Sequence, residues 1–141
     1  MQIDPRGPRF GALITTVVLV AVLITSSAWL LAAQAVVFGI GAVFGLRYAP
    51  YGLIYRWLGQ VRHLGPPKEL EDEAPPRFAQ GVGLAFAVIG VIGYGTGTTL
   101  LGIVATAFAL IAAFLNGAFG LCLGCELYLI IRRFMPARQA P

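Results

Sequence analysis

The chain has 141 residues, 58% hydrophobic and 11% charged, with a mean hydropathy of +0.82, which excludes an ordinary soluble globular domain and implies an integral membrane protein. Ten Lys and Arg against six Asp and Glu leave a net charge of +4. The excess reads as a membrane-topology signal rather than a nucleic-acid footprint, and no nucleic-acid partner is expected.

The first apolar run, Gly11 to Leu46, is too long for a cleaved signal peptide, and Asp4 interrupts the charged start ahead of it. As one helix it would reach roughly 54 Å against a hydrocarbon core of about 30 Å, so it must fold back. Thr25-Ser26-Ser27 is the reversal, because short hydroxyl side chains bond to nearby backbone and compete with the helix. The first two spans are therefore Gly11 to Ile24 and Ala28 to Leu46. From Arg47, the aromatics Tyr48, Tyr51, Tyr55 and Trp57 alternate with arginines, the pattern of an interfacial amphipathic helix. Gly65-Pro66-Pro67 ends it, and the polar segment KELEDEAPP reads as a solvated linker.

The second apolar region, Phe78 to Ile131, reverses at Gly93-Tyr94-Gly95-Thr96-Gly97. Its spans run from Phe78 to Gly93 and from Thr98 to Gly117, with a bend expected near Gly120 or Gly124 and an interfacial segment beyond. The expected fold is all-α and membrane-integral: four transmembrane helices as two parallel-repeat hairpins plus interfacial amphipathic segments. Residues 1–63 form the first hairpin with its interfacial helix, 64–77 a polar linker, and 78–141 the second hairpin with a Cys-x-x-Cys and a basic tail. No Lys or Arg falls in either reversal, so the basic residues share one side, which the positive-inside rule makes the cytoplasm of an inner-membrane, multi-pass protein with both termini inside.

The repeat rests on paired signposts. Pro8-Arg9-Phe10 introduces the first span as Pro76-Arg77-Phe78 introduces the third, and Phe44-Gly45-Leu46 ends the second as Phe119-Gly120-Leu121 ends the fourth. Each half starts and ends on the same side, so the two are parallel repeats about an axis along the membrane normal.

The candidate site is Cys122-Leu-Gly-Cys125, which holds the chain's two cysteines. Three residues apart on a helical turn, two sulfurs share one face, the spacing used by thiol-disulfide centres and by half of many metal sites. If a cysteine caps the segment ELYLIIRR, exposed backbone N–H groups favour the thiolate, as would nearby Arg132 and Arg133, while Glu126 opposes it. Asn116, Gln80 and Glu126 are the polar residues expected to border the thiols. Gln34 reads as interhelical glue and His63 as a surface histidine. No cofactor or resident metal is expected. A cytosolic pair is kept reduced unless it turns over, so a transient disulfide is expected rather than a structural one.

The segments IDPRGPRFGA, PPRFAQGVGL and AAFLNGAFGLCLGCELYL resemble the bacterial membrane family catalogued as domain of unknown function 4395, across almost the whole chain. The resemblance implies the four-helix architecture and the two thiols, and through the company such proteins keep it implies a thioredoxin-like or sulfurtransferase partner. The bilayer and a second copy of the chain are the other partners considered. Three functions stay open: thiol-based handling of sulfur species or redox exchange at the cytoplasmic face, a soft-metal carrier with two thiolates on one ion, and a structural or assembly subunit in which the cysteines are packing residues.

Overall fold

The computed structural model describes residues 2–3, 6–61 and 71–134. Among them are six α-helices: α1 (Arg6–Thr25), α2 (Ala28–Val43), α3 (Pro50–Val61), α4 (Ala74–Gly95), α5 (Thr99–Phe119) and α6 (Leu123–Arg133), with a 3-10 turn at Leu46–Tyr48. Two-residue strands, β1 (Gln2–Ile3) and β2 (Glu71–Asp72), pair antiparallel and tie the start of the chain to the residues ahead of α4. The Gly65-Pro66-Pro67 break, His63, Lys68 and Arg138 lie outside the described residues.

The first reversal falls where the hydroxyls are. Thr25 Oγ1 donates to the Ala21 carbonyl, Ser26 takes a positive φ of 52°, and Ser27 Oγ accepts from the Leu30 N–H as the N-cap of α2. α4 begins at Ala74, four residues before the expected start of its span, because Pro75 and Pro76 occupy a first turn in which a missing N–H costs no intrahelical bond. α1 likewise takes in Pro8 and starts at Arg6.

Three helices, α1, α4 and α5, are long and apolar enough to cross a membrane; α2, with 16 residues, is a shorter apolar helix of about 24 Å. Val17, Ile24, Trp29, Val36, Leu100 and Phe108 point outward, so the exterior as well as the core is apolar, compatible with a multi-pass membrane protein. The core is built from Leu19, Val22, Leu31, Phe38, Ala87 and Ala109.

The helices pack across the halves. α1 lies chiefly on α5 and α2 on α4, α4 and α5 also meet along their length, and α1 and α2 touch far less. Short helices then dock on the starts of long ones: α3 on α1, with Phe10 against Tyr55 at 5.5 Å, and α6 on α4, with Phe78 against Tyr128 at 5.6 Å.

Arginine closes the helix ends in the same crossed way. A helix leaves its last carbonyls without intrahelical donors. Arg77, at the start of α4, donates from Nη2 to the Ala42 and Val43 carbonyls at the end of α2, at 3.0 and 2.9 Å, while its Nη1 lies 3.6 Å from Glu73. Arg9, at the start of α1, donates from Nη2 to the Gly117 carbonyl near the end of α5 at 3.4 Å. Beyond each capped end comes a glycine with positive φ, Gly45 at 104° and Gly120 at 72°, which lets the chain leave the helix where a side chain would be strained. These contacts gather the starts of α1 and α4, the ends of α2 and α5, and α3 and α6 at one end of the bundle. The described arginines all belong to that end.

Gln34 is buried in the first half, with Oε1 accepting from the Tyr51 hydroxyl of α3 at 2.6 Å and Nε2 without a partner among the described residues. Burial pushes the Tyr51 phenol above its usual range, which keeps it a donor. Because its folded pKa exceeds the unfolded value of 10.0, its contribution is complete below that pH and fades as pH rises through the folded value.

Two outcomes are expected from thermal unfolding in detergent. Arg77→Met should cost about 1.5–3 kcal/mol, since two carbonyls lose a charged donor, and Arg9→Met should cost less. Tyr51→Phe should cost about 1–3 kcal/mol by leaving both ends of the Gln34 amide unpaired. Equal, negligible losses for both arginines would show that the crossed caps contribute nothing.

Candidate thiol site

The site is made by the way α5 stops. Gly120, in the left-handed conformation, sends its N–H back to the Asn116 and Leu115 carbonyls, and Leu121 returns to Leu115 at 3.1 Å. Of the two glycines expected to bend the chain, Gly120 makes the turn and Gly124 lies inside α6. Its role is close approach: a Cβ there would come within 2.6 Å of both Cα and Cβ of Ala79. Glycine thus lets the first turn of α6 rest against the backbone of α4.

Cys122 is the N-cap of α6. Its backbone is extended, at φ −90° and ψ 102°, and its Sγ accepts from the Cys125 N–H at 3.1 Å, taking the place usually filled by a Ser or Asp oxygen. Cys122 and Cys125 are joined by a disulfide, with Cα atoms 5.1 Å apart. The structure therefore holds the oxidised form of the pair.

Behind Cys122 lies a cavity of about 90 Å³. Its walls come from five helices and the α5–α6 turn: Thr15 from α1, Phe38 from α2, Gln80 and Phe86 from α4, Asn116 from α5, Leu123 from α6, and Cys122 itself, with small residues between. Two of the expected bordering residues, Gln80 and Asn116, are thus brought to the same cavity as Cys122. Glu126 is not: it is exposed in the first turn of α6 and absent from the lining. Cys125 also lies outside the lining.

The expected influence of Arg132 and Arg133 is corrected by geometry. They occupy the last turn of α6, about 15 Å along the axis from Cys122. There Arg132 donates to the Tyr128 hydroxyl at 2.8 Å, and its guanidinium sits 5.7 Å from the ring centroid. The guanidinium beside the turn is that of Arg9, whose atoms lie 3.6 to 3.8 Å from where a Gly120 Cβ would be. Sequence reasoning missed it, although a signal was present: Arg9 stands in the Pro-Arg-Phe signpost, and Phe-Gly-Leu, the other signpost, is what it touches. Among the described residues no group of three or more His, Cys, Asp or Glu side chains is placed to hold a metal ion.

A family model described as a domain of unknown function, number 4395, matches residues 3–133. The chain belongs to that family. The match takes in both arginine caps and the whole thiol segment, so the family's domain and the six-helix unit are the same stretch of chain. No curated protein and no solved structure matches it.

Gly124→Ala should lower stability by about 1–3 kcal/mol, because the neighbour it meets is backbone and cannot swing aside. Gly95→Ala is the control: nothing lies within 4 Å of its Cβ position, and the change should be neutral or mildly stabilising. Thermal melts and non-reducing mass spectrometry of the two variants check both the ranking and whether the displaced α6 still closes its disulfide.

Proposed function

We propose that this chain is a four-span membrane protein built from two duplicated helical hairpins, with its arginine-rich end in the cytoplasm, and that Cys122 and Cys125 exchange disulfides with sulfur compounds at that face. The crossed contacts of the two halves support the duplication. Arg9 on Gly117 mirrors Arg77 on Ala42, Phe10–Tyr55 mirrors Phe78–Tyr128, and Gly45 mirrors Gly120. In this reading α2 is the fourth span, shorter than the others, and α3 and α6 lie at the interface, where Trp57, the tyrosines and the arginines suit headgroup level.

The observation that carries the thiol reading is the disulfide closing the first turn of α6 with Cys122 as N-cap. In the reduced state the same N–H and the positive end of the helix favour a thiolate on Cys122. Cys122 is then the attacking sulfur. It displaces one thiolate from a substrate disulfide, forming a mixed disulfide between Cys122 and the other half of the substrate. The deprotonated Cys125 next attacks Cys122 Sγ, releases the second thiolate and leaves the Cys122–Cys125 bond. Two electrons pass from the pair to the substrate, and the reverse sequence, in which two external thiols are oxidised to a disulfide, returns the pair to its reduced form.

Alkylation of membranes over a range of pH tests this. Cys122 in the Cys125→Ser variant should label with a pKa below the free value of about 8.5, and Cys125 in Cys122→Ser should label more slowly. Resistance of both cysteines to a small permeant reagent after reduction, together with full function of the double serine variant in cells, would remove the proposal. Labelling of Ser27→Cys and Gly95→Cys, made in a chain lacking the native cysteines, from the cytoplasmic side would overturn the orientation.

A further inference from the structure

The cavity adjoining Cys122 has properties that a general disulfide-exchange reading does not require. Its lining residues along α1, α4 and α5 reach from Pro8 to Thr15, Ala79 to Phe86 and Asn116 to Ala109, so it extends about 10 Å inward along the helices. Its volume of about 90 Å³ is roughly that of three waters, which suits an occupant of about four heavy atoms. No residue in its walls carries a charge; the polar groups are the Thr15 hydroxyl and the Gln80 and Asn116 amides. The nearby Arg9 guanidinium is held on the Gly117 carbonyl and is not part of the walls, so an anion inside would leave water with no counter-charge in the lining, a cost that neutral molecules escape. Of the two cysteines, Cys122 is part of the lining and Cys125 is not.

We infer that the cavity is the substrate site of the cysteine pair and that it admits small uncharged thiols, of which hydrogen sulfide is the smallest, presenting them to Cys122. This rests on the exchange reading above and specifies its substrate class. With the pair oxidised, the entering sulfur bonds to Cys122 Sγ as the Cys122–Cys125 bond breaks. The electron pair of the broken bond stays on Cys125, which takes up the proton of the entering thiol. The product is a mixed disulfide on Cys122, or a persulfide when hydrogen sulfide enters, and a Cys125 thiol. The amides of Gln80 and Asn116 supply hydrogen bonds to a neutral guest, and the narrow walls exclude a peptide.

Two small thiols of similar size separate this from unselective exchange: neutral 2-mercaptoethanol and anionic mercaptoacetate. The oxidised full-length protein in detergent is mixed with each, and mixed-disulfide formation is followed by mass spectrometry. Each rate is divided by that thiol's rate with a small disulfide in free solution. The neutral thiol should then be favoured at least about tenfold, reflecting the cost of an unpaired charge in the cavity. The adduct should sit on Cys122, and sodium sulfide should give a persulfide at the same residue. Ala112→Leu, which fills the cavity, should slow 2-mercaptoethanol about tenfold if the guest must enter. Asn116→Lys should narrow the neutral-to-anionic ratio by placing a cation in the wall. Equal corrected rates for the two thiols in the unaltered protein, or an adduct confined to Cys125, overturn the cavity assignment while leaving disulfide exchange in place. If neither thiol nor sulfide opens the disulfide, the exchange reading fails with it.

Discussion

The arrangement depends on how helix ends are satisfied. A guanidinium is one of the few groups that can meet several carbonyls at once, and Arg77 does so from α4 onto the last turn of α2. Arg9 reaches from α1 to the end of α5. Each half thus supplies the cation that closes a helix of the other half, and the two are fixed in depth and rotation at their charged end. That end also carries the glycine turns. The path from Gly120 to Cys122 starts from a helix end held by Arg9, and α6 then meets α4 at Gly124 and Ala79. The sulfurs stand at the turn where these arginine and glycine contacts bring α6 against α4.

Much of this was legible in the chain. Thr25-Ser26-Ser27 announced a reversal because hydroxyls compete with helical hydrogen bonds, and Ser27 does cap α2. Gly120 announced the end of a helix, and Cys-x-x-Cys announced two sulfurs on one turn. What escaped were facts of side-chain direction and of three-dimensional proximity. Pro75 and Pro76 were read as the close of the polar linker, whereas they occupy the first turn of α4, where proline costs no intrahelical bond. Arg132 and Arg133 were placed beside the thiols because they are near in sequence, whereas a helix carries them to its far end. Arg9 is more than a hundred residues from Gly117 in sequence and touches it in space. Gln80 and Asn116 reached the cavity as expected because both fall near the charged end, but Glu126, one residue from Cys125, turns outward.

The interior separates polarity from charge. Thr15, Gln34, Gln80 and Asn116 bring hydroxyls and amides into the bundle, while the arginines stay at its rim. Amides bind guests or other side chains without demanding a counter-ion, so a cavity of this kind can be emptied and filled at little electrostatic cost. A carboxylate or lysine in the same wall would hold water or an ion instead.

The sparse meeting of α1 with α2 bears on how the protein comes into being. A hairpin whose two arms scarcely touch has little reason to settle by itself as it leaves the ribosome, and its first arm awaits α5, the last long helix to be made. The face of α1 that meets α5 therefore has no partner until α5 is made. Two separately synthesised halves would meet through the α1–α5 and α2–α4 faces, which carry most of the contacts between them.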